Sequence, residues 1–280
     1  MKVYMFHYVT KDFNYPHFDL DDFEKKIIEL KKKYKIISLS DISNVNYQQE
    51  NKERLLLSFD DGTKDHYLNV FPILKKHNIF GLFFLSSNIN KREIFSIHYI
   101  HKLLSAVDIN NLYNKIIELD EKTFVNFTVN NNSRYDSNIE YKVKRFLQEE
   151  SNKKILMKLI TFYNISNNYD DYYISIANIK EMKKYGMEFG LHTVNHKRLT
   201  KLSYEEQYSE IKKNYDFFTE NNIFTNKKSL SFPFGEYNDD TLKISKMLEI
   251  NYLFGINGVG DTHEDVIFRL DCNLLKELII

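Results

Sequence analysis

Two adjacent aspartates stand at the end of a predicted buried strand. Asp60 and Asp61 follow the apolar run of residues 55–57 and precede Gly62. Two like charges this close resist joint ionisation unless a cation lies beside them. A metal ion would bind one carboxylate and leave the other free as a base. An ordinary turn built on Asp-Gly is the alternative interpretation of the same residues.

A pair of histidines follows another predicted strand. His192 and His196 stand four residues apart, directly after residues 187–191. Imidazole is the commonest metal-binding side chain, although a surface pair would show the same spacing. Thr193 occupies the position where the zincin helix motif carries Glu, so we expect a loop rather than a zincin helix. One aspartate and two histidines would leave open positions, which suits a catalytic Zn²⁺, Fe²⁺ or Co²⁺ ion.

A third segment surrounds a Pro-x-Gly sequence at the end of a further strand. It contains Pro233, Phe234, Gly235 and Tyr237. Aromatic side chains around this sequence would form a rigid wall with an exposed backbone. In isolation an ordinary turn is the more common explanation of such a segment.

Short apolar runs alternate with longer amphipathic stretches along the chain. The predicted strands cover residues 3–9, 35–39, 54–59, 80–85, 187–191, 229–232 and 252–256. Continuous apolar runs are typical of parallel strands that are buried on both faces. The alternation therefore predicts an α/β fold, a distorted (β/α) barrel of about seven parallel strands, with its active site where the strands end.

The middle of the chain departs from this alternation. Residues 88–171 have a helical pattern that Asn-rich segments interrupt. Loops of this length are unusual inside a compact domain unless they are functional. We therefore predict a single barrel domain over residues 1–280 with a helical insertion at about 88–171.

Composition limits the partners. Lys+Arg and Asp+Glu both number 39, which gives a formal net charge of zero, and a nucleic-acid partner is not expected. A single cysteine, Cys272, gives no sign of an oxidising compartment. The first residues do not form a signal peptide, and no stretch is apolar enough to span a bilayer. We therefore expect a cytoplasmic protein, whose oligomeric state the sequence does not indicate.

The three segments together resemble the polysaccharide deacetylase family, also called the NodB homology domain or carbohydrate esterase family 4. Its Thr/Ser-Phe-Asp-Asp-Gly motif is similar to residues 58–62, its His-Ser/Thr-x-x-His motif to residues 192–196, and its Pro-Tyr/Phe-Gly motif to residues 233–235. Early framing residues such as Phe6-His7-Tyr8 also look familiar. The resemblance covers most of the chain apart from the middle insertion.

The resemblance implies roles for individual residues. Asp60 is similar to the catalytic base, and Asp61, His192 and His196 are similar to the ligands of one divalent metal ion, with Zn²⁺ preferred over Fe²⁺, Co²⁺ or Ni²⁺. The backbone N–H of Phe234 is similar to an oxyanion donor. The segment of Pro233, Phe234, Gly235 and Tyr237 is similar to the wall of a substrate groove.

The sequence departs from the family pattern in three respects. Ser231 stands where the family often has an arginine that orients the base, the chain has no Trp, and no Leu-x-His motif supplies the general acid. His263 is a candidate for the acid, although a solvated loop histidine is the alternative. His7, at the end of the first strand, is a candidate for lining the site. Arg269 lies in a strand-like segment and is a candidate replacement for the missing arginine.

These features predict a metal-dependent hydrolase that removes an N-acetyl group from a sugar. The missing groove Trp and the expected cytoplasmic location favour a precursor in surface polysaccharide biosynthesis over a finished cell-wall polymer. Two alternatives stay open. The family also contains amidohydrolases that act on non-sugar C–N bonds, and a barrel that lost turnover would remain a weak carbohydrate-binding module.

Overall fold

The computed structural model describes residues 1–11, 13, 15–43, 52–87, 92–131, 136–259 and 262–272. The chain forms two compact units. The barrel unit comprises Met1–Lys11, His17–Lys91 and Tyr173–Ile280, and the helical unit comprises Asp12–Pro16 and Arg92–Tyr172. The organisation as one domain with an insertion at about 88–171 stays a prediction.

Parallel strands of the barrel unit close into a ring. The described strands are, in chain order, β1 (Lys2–Phe6), β2 (Val9–Thr10), β3 (Phe18–Asp19), β4 (Lys35–Ile36), β5 (Arg54–Phe59), β6 (Leu82–Leu85), β7 (Glu188–Leu191), β8 (Ser229–Ser231), β9 (Tyr252–Ile256) and β10 (Val266–Asp271). Strands β1, β5, β6, β7, β8, β9 and β10 pair in that order, and β10 pairs back with β1. The predicted (β/α) barrel of about seven parallel strands is confirmed.

The ring contains a different set of strands from the one that the sequence indicated. The predicted strand at 35–39 is only the short β4, which pairs with Arg54 and Leu55 at the beginning of β5. Further along β5, Ser58 and Phe59 pair with β6 instead. Strand β10, which looked only strand-like in the sequence, closes the ring.

Alternate residues of each strand face opposite sides of the barrel wall. Leu55, Leu57 and Phe59 belong to the large apolar core that also contains the helix residues, whereas Leu56 and Phe84 belong to a separate cluster of strand residues. Because successive side chains of a strand point to opposite faces, the second cluster marks the barrel interior. The same alternation places Ser58, Ser231 and Arg269 on the interior face.

Helices surround the strands and form the helical unit. The described α-helices are α1 (Leu20–Lys33), α2 (Phe71–Lys76), α3 (Ser96–Ala106), α4 (Ile109–Asn126), α5 (Asn138–Gln148), α6 (Lys153–Phe162), α7 (Ile176–Lys184), α8 (Tyr204–Glu220) and α9 (Asp239–Met247). Asp19 caps α1, because its carboxylate accepts hydrogen bonds from the N–H groups of Asp21 and Asp22. None of the described helices is long and apolar enough to cross a membrane.

The helical stretch between β5 and β6 consists of two pieces. A π-helical turn (His66–Val70) comes first, and α2 continues from Phe71. Pro72 lies in the first turn of α2, directly after the π-helical turn.

The helical unit has its own apolar core. Helices α3 to α6 bury side chains against one another, among them Leu103, Leu112, Ile116, Phe124, Phe146 and Leu159. The ring of Phe124 packs edge-on against that of Phe146, with 4.8 Å between their centroids. A reciprocal cap between Ser137 and Glu140 begins α5.

Candidate metal and catalytic site

The predicted metal ligands come together at the carboxyl ends of two barrel strands. Asp61 follows β5, and His192 and His196 follow β7. The Asp61 Oδ1 atom lies 3.3 Å from Nε2 of His192 and 3.2 Å from Nε2 of His196. All three side chains are largely shielded from solvent. Asp61 and His192, which are 131 residues apart in the sequence, therefore belong to one cluster.

The donor set fits a divalent metal ion. One ligand atom from each of Asp61, His192 and His196 lies within 4.8 Å of the others. A carboxylate oxygen with two imidazole nitrogens suits Zn²⁺, Fe²⁺, Co²⁺ or Ni²⁺, and three protein ligands leave positions open for water and substrate. These three residues would hold the ion, whose identity the donor set does not select.

The hydrogen bonds of His192 leave its Nε2 atom available as a ligand. Its Nδ1 atom lies 2.8 Å from the backbone oxygen of Ser231. A carbonyl oxygen only accepts, so Nδ1 carries the proton and Nε2 presents its lone pair toward Asp61. Burial alone would lower the pKa of His192, but the neighbouring carboxylates of Asp61 and Asp60 outweigh burial and raise it.

Strained backbone supports the cluster. Asp61 and Gly62 have φ angles of 78° and 64°, and Thr193 and His196 have φ angles of 63° and 51°. Such conformations cost about 1–3 kcal/mol for a non-glycine residue and persist only where the surroundings hold them. At Gly62 an added Cβ atom would lie 2.6 Å from Cδ2 of Leu85, so only glycine fits there.

Two buried residues of α8 hold the histidine loop. The Glu210 carboxylate accepts hydrogen bonds from the N–H groups of Val194 and Asn195, and Oδ1 of Asn214 accepts from the N–H of His192. Sequence analysis missed both residues. Polar side chains at 207, 210 and 214 on an otherwise apolar helix face were the available signal, because a buried polar group needs a partner.

The predicted base, Asp60, is tied to Arg269 by a bidentate ion pair. Arg269 Nη1 lies 2.6 Å from Oδ1 of Asp60, and Nη2 lies 2.7 Å from Oδ2. Ser231 joins the pair: its hydroxyl accepts from Arg269 Nη2 at 2.7 Å and donates to Asp60 at 3.3 Å. Arg269 thus contacts the base from β10, beside the Ser231 position where the family motif often has arginine.

The surroundings keep Asp60 ionised. Burial by itself would raise the pKa of Asp60, but the Arg269 guanidinium, together with His192 and His7, more than offsets burial and lowers the pKa below its usual value. Asp60 is therefore a carboxylate at neutral pH, ready to accept a proton or a hydrogen bond.

The third motif lies against the metal cluster. The centroids of the Phe234 and His196 rings lie 4.8 Å apart. The Arg198 guanidinium also packs on Phe234, with its Cζ atom 4.0 Å from the ring centroid. Phe234 has a φ angle of 60°, an uncommon value for a bulky residue. Pro233 and Gly235 on either side are buried.

The remaining candidates lie in different places. His7 directly follows β1, whose Phe6 oxygen accepts the N–H of Asp60, so His7 is at the same barrel end as the base. The Tyr237 ring instead stacks on Phe232, with centroids 4.8 Å apart, as part of the core between strands and helices. This packing gives no support to Tyr237 as a substrate-binding residue.

His263 is at the opposite end of the barrel. It precedes β10 and lines a surface cavity of about 540 Å³ with Ile250, Asn251 and Leu253, which lie at the beginning of β9. Because all ring strands are parallel, residues that precede a strand lie at the amino end, away from the metal cluster. The structure does not bring His263 to the site, and its position does not support the role of general acid.

Fold and site together define the class: a NodB-type (β/α) barrel with an Asp-His-His cluster at the carboxyl ends of its strands. The polysaccharide deacetylase family model matches residues 153–253, which include the second and third motifs. The resemblance to the polysaccharide deacetylase family that the motifs predicted is confirmed. A comparison with curated proteins finds no match.

Several solved structures share this fold. The Streptococcus pyogenes deacetylase PplD in complex with acetate is 17% identical, with a TM-score of 0.58 over 99% of this chain and 96% of that chain. A de-N-acetylase from Aggregatibacter actinomycetemcomitans is 15% identical, with a TM-score of 0.59 over 96% and 93%. IcaB from Ammonifex degensii is 15% identical, with a TM-score of 0.58 over 96% and 90%. At these identities the likeness establishes the fold.

Proposed function

We propose that the chain is a metal-dependent hydrolase that removes an N-acetyl group from a sugar. One observation carries the proposal: the buried Asp60–Arg269 pair lies beside the Asp61-His192-His196 cluster at one end of the barrel. A base next to three metal ligands is more than a structural metal site needs. Membership of the polysaccharide deacetylase family supports the same reaction.

The chemistry is the hydrolysis of an amide. A divalent metal ion bound by Asp61, His192 and His196 would supply Lewis-acid polarisation of the carbonyl and of the attacking water. Asp60 accepts the proton that this water loses as its oxygen bonds to the carbonyl carbon. The N–H of Phe234 donates to the oxygen that gains negative charge. The C–N bond then breaks, and acetate and a sugar amine leave.

Arg269 sets a compromise in the base. A guanidinium that lowers the pKa of Asp60 makes the carboxylate a weaker base, but it also guarantees the ionised form in a buried position. The two hydrogen bonds fix the plane of the carboxylate, so that the Asp60 side chain is already oriented when the water binds.

His7 is the best-placed group to protonate the leaving amine. It directly follows β1, whose last pair with β5 is Phe6 with Phe59, the residue before Asp60, and it contributes to the lowered pKa of that carboxyl. His263 lies at the other end of the barrel. Protonation by a positioned side chain contributes about 10²–10⁴-fold to such reactions.

The substrate class is a further part of the proposal. We infer an N-acetylated sugar that is a precursor in surface polysaccharide biosynthesis, handled in the cytoplasm. Two proteins of similar fold, a deacetylase and a de-N-acetylase, support the type of bond. The pathway and the location rest on the sequence-based expectations alone.

The test is acetate release by metal-reconstituted protein. The panel contains short N-acetylated oligosaccharides, nucleotide-linked N-acetylated sugars and, as a non-sugar amide, an N-acetylated amino acid. We expect release from a sugar substrate by wild type and by Asp239→Asn, an exposed aspartate in the first turn of α9. Asp60→Asn should abolish release while circular dichroism remains native.

Other outcomes distinguish the alternatives. Release from the non-sugar amide alone would identify an amidohydrolase of different specificity. Sugar binding without release, in a protein that holds one metal ion per chain, would identify a binding module. Release that Asp60→Asn leaves intact would contradict the assignment of the base.

A further inference from the structure

The segment that follows β1 is held by side chains of the π-helical turn. Strand pairing of β1 with β5 ends at Phe6, and Val9 begins the short β2, which pairs with Phe18 of β3. The His7 segment, residues 7–9, also makes hydrogen bonds to three side chains near the beginning of the π-helical turn (His66–Val70). These side chains belong to Asp65, His66 and Asn69.

All three side chains form hydrogen bonds to backbone atoms of the His7 segment. His66 Nε2 lies 2.6 Å from the backbone oxygen of His7, so that nitrogen is the donor. Asp65 Oδ2 accepts from the N–H of Val9 at 2.7 Å, and Asn69 Nδ2 donates to the oxygen of Val9 at 2.8 Å. Both backbone groups of Val9 and the carbonyl of His7 are therefore satisfied by side chains.

His66 is an unusual residue for its surroundings. It is fully buried, and its ring packs 5.7 Å from Phe59 and 5.7 Å from Phe83. Among the described residues its Nδ1 atom has no hydrogen-bond partner. A buried unpaired nitrogen costs about 1–3 kcal/mol, and a phenyl ring would avoid that cost in this aromatic pocket. The bond to His7 is what histidine adds here.

The helix is irregular at the same place. The N–H of Phe71 bonds to the oxygen of His66, five residues back, which inserts one residue into the turn. Such π-helical turns are rare and occur frequently at functional sites. Here the turn lies directly after the Asp60-Asp61-Gly62 motif, so the same stretch of chain carries the base, a metal ligand and the contacts to the His7 segment.

We propose that His66, assisted by Asp65 and Asn69, is a positioning residue that fixes His7 beside Asp60. This inference rests on the proposed function, in which His7 protonates the leaving amine. His66 acts through the backbone and touches no reacting atom. We call the three side-chain contacts of Asp65, His66 and Asn69 to the His7 segment the clamp. A displacement of about 1 Å at a catalytic group can cost about 100-fold in rate, so loss of the clamp should be measurable.

The decisive experiment is a double-mutant cycle between positions 66 and 7. His66→Phe keeps the aromatic packing and removes the donor, whereas His66→Gln places an amide N–H near the position of Nε2. We expect His66→Phe to lower kcat about 10- to 100-fold with little change in KM, and His66→Gln to restore most of the rate. In a His7→Ala background, His66→Phe should have no additional effect on kcat.

Different results would overturn the proposal. If the losses from His66→Phe and His7→Ala multiply, His66 acts on the protein generally and not through His7. An unchanged kcat in His66→Phe would be equally contradictory. His77→Phe is the matched control, because the His77 ring bonds to Glu24 and His77 lies at the far end of α2 from the His7 segment.

A second measurement does not depend on activity. Hydrogen exchange of the peptide that contains residues 7–9 should be faster in His66→Phe than in wild type and in His77→Phe, with other barrel peptides unchanged. If His66→Phe does not fold, Asn69→Ala, which removes only the bond to Val9, takes its place. If no substrate is hydrolysed by wild type, the proposed function fails, and the exchange result alone decides whether the clamp exists.

Discussion

The guanidinium of Arg269 and the carboxylate of Asp60 face each other as two parallel hydrogen bonds in the barrel interior, 209 residues apart in the chain. Fork-to-fork pairing fixes both the position and the plane of the carboxylate. Ser231, which contacts both partners, occupies the motif position where an arginine was expected. Strand β10 therefore supplies the contact that the third motif lacks.

Replacement of Arg269 should impair stability and rate together. Arg269→Met leaves Asp60 buried without its partner, and loss of one member of a buried pair costs about 3–5 kcal/mol. Arg269→Lys keeps the charge but loses the second hydrogen bond, so we expect intermediate losses. Urea unfolding and acetate release measure the two effects. The single variant Arg269→Ser should lose activity, and the double variant Ser231→Arg/Arg269→Ser should recover part of that loss. No recovery would show that the arginine must come from β10.

Metal binding should depend on Asp61 and both histidines. Asp61→Asn removes the only anionic ligand of the cluster, and we expect the affinity for Zn²⁺ or Co²⁺ to fall by roughly 100-fold or more. Because a ligand that binds only the folded state stabilises it, a chelator should lower the Tm of wild type and not that of Asp61→Asn. His263→Ala should bind metal as wild type does, since His263 lies at the amino end of the barrel. Equal affinities for Asp61→Asn and wild type would place the metal elsewhere.

The supporting residues on α8 should affect metal affinity without touching the metal. Glu210→Gln leaves an amide N–H₂ facing the N–H groups of Val194 and Asn195, which loosens the histidine loop. We expect affinity to fall about 10- to 100-fold, as for other groups that orient metal ligands. Glu205→Gln, an exposed position in the first turn of the same helix, is the control and should leave affinity unchanged. Calorimetric titration of metal into both variants compares them directly.

Glu188 should make stability depend on pH. Burial raises the pKa of Glu188 above its usual 4.5, although the N–H groups of Leu39 and the Ser40 hydroxyl and N–H oppose that shift. The folded state therefore binds the proton more tightly than the unfolded state. This contribution to stability is present below pH 4.5 and is lost as pH rises through the folded-state pKa.

The variant Glu188→Gln removes that titration. The unfolding free energy of wild type minus that of Glu188→Gln should decrease from about pH 4 to pH 7, because wild type loses stability as Glu188 ionises. Urea unfolding at each pH measures this difference. The exposed Glu205→Gln variant should show the same pH profile as wild type. A difference that stays constant, or that grows with pH, would mean that Glu188 does not carry the raised pKa.

The sequence was most informative where function depends on neighbours in the chain. Asp60 with Asp61, and His192 with His196, are local patterns at strand ends, and parallel strands bring such ends together. The pairing of Arg269 with Asp60 depends on the register of β10 against β1, which no local pattern encodes. Glu210 was missed for a similar reason, because its partners lie in the preceding loop.

The position of His263, away from the metal cluster, has a simple cause. Its role required the loop after β9 to remain at the carboxyl end of the barrel, but the chain returns to the amino end before β10 begins. A parallel neighbour always requires that return. The metal identity, the sugar and the cytoplasmic location stay predictions.

Strand β10 links closure of the barrel to the environment of Asp60. Strand β10 closes the gap between β9 and β1 and brings Arg269 to Asp60 in the same step. A barrel without β10 would have no guanidinium at Asp60 to keep that buried carboxyl ionised. If Asp60 is the base that we propose, a chain that lacks β10 would retain the aspartate pair and still be inactive.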